Sequence, residues 1–334
     1  MKSRIVDRVC CVATPYALLQ YLLLMGEEEI DRTYFFFVST LPRSICERLS
    51  QSHTFCFGHK YRFLKFFFWP YWFLIKRLRF RIWPFLATAE IYGLDNTSIS
   101  WLVMGGLPYV LLEDGFGTYS PPARRIERGI SGIVHKIERL ILRPLSECPW
   151  GNSDFCRERI LTHEPKADSR LRLKPYRILD LQKAWSNASD AKRMFILSVF
   201  NVKPNLMNEF VGIDAVVFTQ PFSEDYVISE SEKIDCYVKI VESLGLRREK
   251  ILLKIHPAER TDYASFIPGV LICRERVPAE IMAFLLSDVK CVVTVSSTSV
   301  FSFIGKSQII WHGSRYSPAL KAKLGDIPCP LSLQ

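Results

Sequence analysis

Short apolar runs bounded by Pro, Gly, Ser or Asp alternate along this chain with longer stretches in which apolar positions recur every three or four residues. Strands buried on both faces give the first pattern and covering helices the second. Arg8–Ala13 reads as a buried strand, and Thr14-Pro15 then opens a helix to about Met25, closed by Gly26. Thr as N-cap with Pro at the first helical position is a strong start signal. Thr33–Val38 is a second strand, followed by Leu41-Pro42 and a helix to about Leu49. Ala89–Gly93 is a third, with a short helix from Asn96 to Met104, and Leu107–Leu112 is a fourth. Repeated β-α units of this length imply a parallel sheet with helices over its faces, an α/β fold.

The stretch 121–190 is basic and loop-rich, with a helix expected over Ile126–Leu142 and a strand at Tyr176–Leu179. Lys183–Lys192 is polar and loses periodicity, so a domain boundary is expected there, dividing the chain into 1–188 and 189–334. A second β-α series follows. Met194–Val199, Ala215–Thr219, Ile251–Ile255, Lys290–Val295 and Ser307–Trp311 read as strands. Ser229–Leu244 carries the stripe of an amphipathic helix, Val277-Pro278 opens another to about Ser287, and one is expected after Ser296–Ser299. Each half therefore reads as a Rossmann-like sheet, with a cleft expected between the two.

Composition changes this picture in one place. The formal net charge of +10 is concentrated in residues 60–85, where Lys60, Arg62, Lys65, Lys76, Arg77, Arg79 and Arg81 stand among aromatics and no acidic residue occurs between Glu47 and Glu90. Aromatic-plus-basic segments lie at anionic membrane surfaces or bind nucleic acid. The segment lacks base-reading Asn and Gln, which favours a monotopic membrane patch over nucleic acid; a core helix pair with a basic outer face fits the same letters. Its longest uncharged apolar run, Phe66–Ile75, is half the length of about 20 residues that a spanning helix needs. The ten cysteines form no C-x-x-C pair and mostly sit in strand-like runs, as buried thiols in a reducing cytosol would. No signal peptide is expected at the N-terminus.

Candidate chemistry falls at predicted strand ends. Glu113-Asp114-Gly115 follows the fourth strand, and Asp114 is the first candidate for a general base; a solvated loop whose Asp caps the next turn reads from the same letters. Glu224-Asp225 follows AVVFT, with Asp225 the second carboxylate candidate. Lys254-Ile255-His256-Pro257 closes ILLKI, and Ser296-Ser297-Thr298-Ser299 follows CVVTV. Hydroxyls at a helix start suit a phosphate, where free N–H groups and the dipole both favour an anion, although they also suit a plain cap. A nearby His can donate to a phosphate leaving group. There is no G-x-G-x-x-G, no P-loop, no G-x-S-x-G elbow and no D-x-D, and the six histidines do not cluster as metal ligands.

Taken together, the acidic-Gly motif, the His-Pro and the Ser/Thr run resemble the shared marks of bacterial sialyltransferases. Around them VATPYALLQ, EIYGLDN, TQPFSEDY, KIHPAERTDY, VPAEIMAFL and TVSSTSV resemble glycosyltransferase family 52, from about residue 10 to about residue 312. The resemblance implies a GT-B fold and an inverting, metal-independent transfer of sialic acid from CMP-sialic acid to a terminal galactose of lipooligosaccharide or a related surface glycan. It implies a cytoplasmic protein, peripheral on the inner face of the bacterial inner membrane, and homodimers. By its motifs Asp114 is the base with Glu113 and Gly115 beside it, and His256 and Ser296–Ser299 contact the CMP phosphate, flanked by Lys254 and Pro257. Tyr226 departs from it, standing where the family more often has Gly, as do Leu94 and Asn96. Transfer of another sugar, such as glucose, and a non-catalytic membrane-binding protein are the competing expectations.

Overall fold

The computed structural model describes residues 5–38, 41–49, 51–55, 65–119, 149–165, 173–202, 210–286 and 288–329. The expected helix at 126–142 lies outside these, as do residues 60–64 of the basic segment. The chain forms two compact units, 1–201 and 202–334.

The first unit holds a parallel sheet of β1 (Arg8–Val12), β2 (Thr33–Val38), β3 (Ser52–Phe55), β4 (Glu90–Gly93), β5 (Tyr109–Leu112), β6 (Cys156–Leu161) and β7 (Tyr176–Ile178), in the order 3-2-1-4-5-6-7. Its central strands are buried along their length, so they read as continuous apolar runs. Helix Pro15–Leu24 starts where expected, with the Thr14 hydroxyl accepting the Ala17 amide at 3.3 Å. The second unit repeats the scheme. β8 (Ala215–Phe218), β9 (Ile251–Lys254), β10 (Leu271–Cys273), β11 (Cys291–Thr294) and β12 (Gln308–Trp311) are parallel in the order 10-9-8-11-12. Both orders reverse once, between β1 and β4 and between β8 and β11. Open α/β sheets bind ligands outside the carboxyl ends of strands at such reversals.

Three expectations change. Met194–Val199 is not a strand but the end of helix Asp190–Val199, capped by Ser189, whose hydroxyl accepts the Lys192 amide at 3.0 Å. A six-residue run with one polar position, Ser198, does not separate strand from helix by period alone. The burial does, because Ile196 and Val199 are buried while Met194 is 57% exposed, a one-sided helix. The helix belongs to the first unit: Lys192 Nζ donates to the Leu23 and Met25 carbonyls, at 3.0 and 2.6 Å, and Arg48 binds Asn201 Oδ1 at 2.8 Å. The units therefore divide at Asn201/Val202 and not at 188/189. After Ser296–Ser299 comes a 3-10 turn, Thr298–Phe303, in place of an α-helix.

Within the basic segment, helix Lys65–Ile82 turns Ile75 and Arg79 inward, with Trp83 one turn further on. The Arg79 guanidinium donates to the Leu102 and Gly105 carbonyls at 3.3 and 2.6 Å, closing the C-terminus of helix Ser98–Met104, where a cation also meets the negative end of the dipole. Outward it leaves Tyr71, Phe73, Leu74, Phe80 and Ile82 exposed, on the same helix as the exposed Arg77 and Arg81. Among the described residues no helix is long and apolar enough to cross a membrane.

Candidate active site

At the carboxyl edge of the first sheet, Glu113 and Asp114 leave β5 in opposite senses. Glu113 is buried, and its backbone is clasped by the buried Gln20 amide, whose Nε2 donates to the Glu113 carbonyl at 2.9 Å and whose Oε1 accepts the Glu113 N–H at 3.2 Å. Its carboxylate accepts from Tyr16 Oη at 2.9 Å, Tyr119 Oη at 2.7 Å, the Thr162 amide at 2.6 Å and the Thr162 hydroxyl at 2.8 Å. Burial pushes this carboxyl above its ordinary range, and the Tyr119, Thr162 and Tyr16 donors pull back against it. Glu113 is thus an anchor that ties the ends of β5 and β6 to the helix after β1.

Asp114 is half-buried. Asn96 Nδ2 donates to its Oδ2 at 2.7 Å and the Thr14 hydroxyl to its Oδ1 at 3.3 Å. Thr14 follows β1 and Asn96 follows β4, so the two strands flanking the topological reversal hold the carboxylate between them. The Asp114 amide donates to Thr118 Oγ1 at 2.8 Å, and Gly115 then turns at φ +59° into the short helix Phe116–Tyr119. A carboxylate with two fixed donors and an open side can take a proton from a hydroxyl. Its neighbour Asp95 is structural: buried, it accepts from Tyr109 Oη at 2.6 Å and from the Trp150 and Gly151 amides at 2.7 and 2.6 Å.

At the carboxyl edge of the second sheet, His256 follows β9 and Thr219 follows β8. The His256 amide donates to Thr219 Oγ1 and to Glu259 Oε1, both at 3.2 Å. Its Nδ1 accepts the Ala258 amide at 3.2 Å across the turn that Pro257 makes. That fixes the tautomer, leaving Nε2–H as the outward donor. Burial lowers the His256 pKa, Asp225 raises it and Lys254 lowers it, with a net downward shift, so near neutral pH the imidazole is an uncharged donor. Asp225 is exposed beside it, at the end of a turn closed by its amide on the Pro221 carbonyl at 2.8 Å. Lys254 is buried and spends its ammonium on the Glu275 and Ile255 carbonyls, at 2.7 and 3.3 Å, as a tie between β9 and the end of β10.

Ser296–Ser299 follows β11, across the β8/β11 reversal. Ser297 is buried, with its amide on Thr294 Oγ1 at 2.8 Å, and Ser296, Thr298 and Ser299 are half-buried to exposed. The Thr294 hydroxyl in turn donates to the Phe218 carbonyl of β8 at 3.3 Å. β8 therefore stands between the two phosphate-site candidates and is bonded to both. The structure gathers Glu113, Asp114 and Gly115 on the first unit, and Asp225, Lys254, His256, Pro257 and Ser296–Ser299 on the second. Among the described residues no cluster of His, Cys, Asp or Glu is placed to hold a metal ion.

Several residues here escape sequence reasoning. Lys233 is fully buried, with Nζ at 2.8 Å from Glu224, 3.1 Å from Glu230 and 3.7 Å from Glu259. Glu224 also accepts the Arg260 amide at 2.8 Å, and its pKa falls to about 2: burial alone would raise it, but Lys233 and the Arg260 amide outweigh that. One buried ammonium thereby links the Asp225 turn to the His256 turn. Thr162 and His163 carry no sequence signal, because β6 (CRERIL) has three charges in six residues and does not look like a strand.

Two parallel sheets in this strand order, each with its polar groups at the carboxyl edge, define the two-Rossmann-domain GT-B fold. The fold is shared, over 95% of this chain and 76% of the other, with a 2,6-sialyltransferase of Photobacterium sp. JT-ISH-224 in complex with CMP and lactose, at TM-score 0.54 and 11% identity. It is shared likewise with a sialyltransferase from Photobacterium damsela, over 96% and 80% of the chains, at TM-score 0.52 and 10% identity. The chain belongs to the alpha-2,8-polysialyltransferase family, whose model matches residues 104–304. This agrees with the resemblance to bacterial sialyltransferases. An uncharacterised protein of Haemophilus influenzae is 27% identical over 242 residues, 72% of this chain and 74% of that protein.

Proposed function

We propose that this protein transfers sialic acid from CMP-sialic acid to a galactose-terminated glycan with inversion. The observation that carries the reading is the wiring of His256, whose Nδ1 is occupied by the Ala258 amide so that Nε2–H faces outward. As the bond from the anomeric carbon to the phosphate oxygen breaks, negative charge grows on that phosphate. His256 Nε2–H and the N–H groups that begin the Thr298–Phe303 turn would meet it without reorganising. The acceptor oxygen attacks the oxocarbenium-like carbon from the other face and its proton passes to Asp114, held by Asn96 and Thr14. These donors carry the phosphate charge without a metal, so chelation is expected to leave the rate unchanged.

The test is release of CMP from CMP-sialic acid that depends on lactose and falls away in His256→Ala. Thermal stabilisation by UDP but not by CMP would overturn the donor assignment in favour of another sugar nucleotide, since a ligand that binds only the native state raises its stability. The family's description supports a second acceptor, a glycan already ending in sialic acid. Faster turnover with sialyllactose than with lactose would select it.

The same reading places the enzyme on an anionic membrane surface, at the inner face of the inner membrane where lipid-linked glycans such as lipooligosaccharide are available. The exposed Phe73, Leu74, Phe80 and Ile82, on one helix with the exposed Arg77 and Arg81, support this, being apolar area of the kind that marks an interaction surface. Liposomes containing anionic lipid should bind the protein and lose it on changing Arg77 and Arg81 to Ser; binding that survives the change sinks the assignment.

A further inference from the structure

β6 pairs with β5 so that Ile160 lies opposite Leu112, and Thr162-His163 therefore leaves the sheet beside Glu113-Asp114. The Thr162 hydroxyl lies 3.0 and 2.8 Å from the two carboxylate oxygens of Glu113. Every other polar partner of that carboxylate, from Tyr16, Tyr119 and the Thr162 amide, is also a donor. The Thr162 hydroxyl proton is accordingly spent on Glu113, and Oγ1 has only lone pairs left for its other two neighbours, Tyr16 Oη at 3.0 Å and His163 Nδ1 at 2.9 Å. Nδ1 must then carry the imidazole proton, which leaves Nε2 as a bare acceptor. The ring is exposed, while the residue is fixed: its amide donates to Tyr119 Oη at 2.9 Å, and the ring stands edge-on to Tyr119 at 6.2 Å.

We infer that His163 binds the acceptor sugar, its outward Nε2 accepting a hydrogen bond from a sugar hydroxyl beside Asp114. The Glu113–Thr162 pair acts on His163 as a carboxylate acts on other functional histidines, setting the tautomer through the inner nitrogen. His256 is wired the opposite way, with an amide on Nδ1 and a proton on Nε2. Chemistry matches each to its unit: a phosphate offers only acceptors and needs the His256 donor, whereas a neutral sugar offers O–H groups and suits the His163 acceptor. The inference rests on the proposed transfer for the identity of the sugar, but not for the tautomer.

Long-range proton–nitrogen correlation spectra of the protein labelled with 15N-histidine should show His163 protonated at Nδ1 and His256 at Nε2. Titration with lactose or sialyllactose should move the His163 Nε2 resonance. His163 protonated at Nε2, or an Nε2 resonance that neither sugar moves, would overturn the inference even if the enzyme turns over. A moving resonance without CMP release would instead break the proposed transfer and leave the sugar site standing. In turnover, His163→Asn keeps an N–H for Thr162 but has no group at the Nε2 position. It should raise the acceptor KM by roughly tenfold, the scale of one neutral hydrogen bond, with kcat and the donor KM little changed. His163→Gln, which can place a carbonyl oxygen near the Nε2 position, should recover most of that loss. Equal losses in the two variants, accompanied by a lowered Tm, would mean a purely structural residue.

Discussion

Glu113-Asp114-Gly115 in the first unit and Glu224-Asp225-Tyr226 in the second are built to one local plan. Glu113 directly follows β5 and Glu224 lies in the turn after β8, each motif turns its Glu inward and its Asp outward, and each continues in the left-handed region, at φ +59° for Gly115 and +58° for Tyr226. What differs is the partner of the Glu. Glu113 is held by neutral donors from tyrosines and a threonine, and burial pushes its carboxyl up. Glu224 is held by the buried Lys233 ammonium and sits at about 2. The same backbone device thus serves two electrostatic settings. The outward Asp114 sits among hydroxyl and amide donors, and the outward Asp225 sits beside an imidazole.

The largest effect should separate the two outward carboxylates. Asp114→Asn removes the group placed to take the acceptor proton while keeping its size, and should lower kcat by about 10² to 10⁴ with Tm unchanged. Asp225→Asn should cost far less, through its influence on His256 alone. CMP release measured on both variants decides the ranking, and a larger loss in Asp225→Asn reverses it.

The inward pair should separate in stability. Lys233→Met leaves Glu224, Glu230 and Glu259 facing one another without their cation, and breaking a buried ion pair from one side costs about 3–5 kcal/mol. Glu113→Gln leaves neutral donors with a neutral partner and should cost about 1–3 kcal/mol. Urea unfolding measures both, and equal costs would mean that the ammonium is no more than a spacer. Acid sharpens the contrast. The Glu224 pKa is depressed from 4.5, so its contribution is complete above that value and is lost as pH falls toward about 2. The Glu113 pKa is raised, so acid relieves its burial instead. Stability should therefore fall less steeply between pH 4.5 and 2 in Glu224→Gln than in the parent, whereas Glu113→Gln should differ from the parent above pH 4.5, where the parent alone loses stability as Glu113 ionises with rising pH.

The outward groups of both motifs are legible in the sequence, and the inward ones are not. Asp114, His256 and Ser296–Ser299 each follow an apolar run, and such a run announces both the strand and the position of its carboxyl end. β6 hides behind Arg157, Glu158 and Arg159, because the buried Arg159 guanidinium donates to the Gly151 carbonyl at 2.7 Å, a partner that no local pattern reveals. With that strand unseen, Thr162 and His163 have no visible place at a sheet edge. Lys233 is hidden differently: on an amphipathic helix a lysine reads as part of the solvated face, and only the tertiary fold brings three carboxylates to it. The run Met194–Val199 fails for a third reason, since a six-residue run with Ser198 as its one polar position fits either period and the Ser189 cap decides.

The smallest effect tests the shared backbone plan itself. No atom lies within 4 Å of the position a Cβ would take on Gly115, so Gly115→Ala meets only the left-handed backbone cost, about 1 kcal/mol. Tyr226 already bears that cost, and its side chain is 94% exposed, so it recovers little by packing. Tyr226→Gly should remove the strain, offset in part by the greater freedom a glycine gives the unfolded chain. The pair should thus move in opposite directions, Gly115→Ala down by about 1 kcal/mol and Tyr226→Gly up by somewhat less, measured as shifts in the urea midpoint at constant m. A Tyr226→Gly variant that is less stable would show the tyrosine side chain to be held by contacts in solution. One that is more stable yet slower in sialyl transfer would show that the strain is kept for the substrate, as strained residues at functional sites often are.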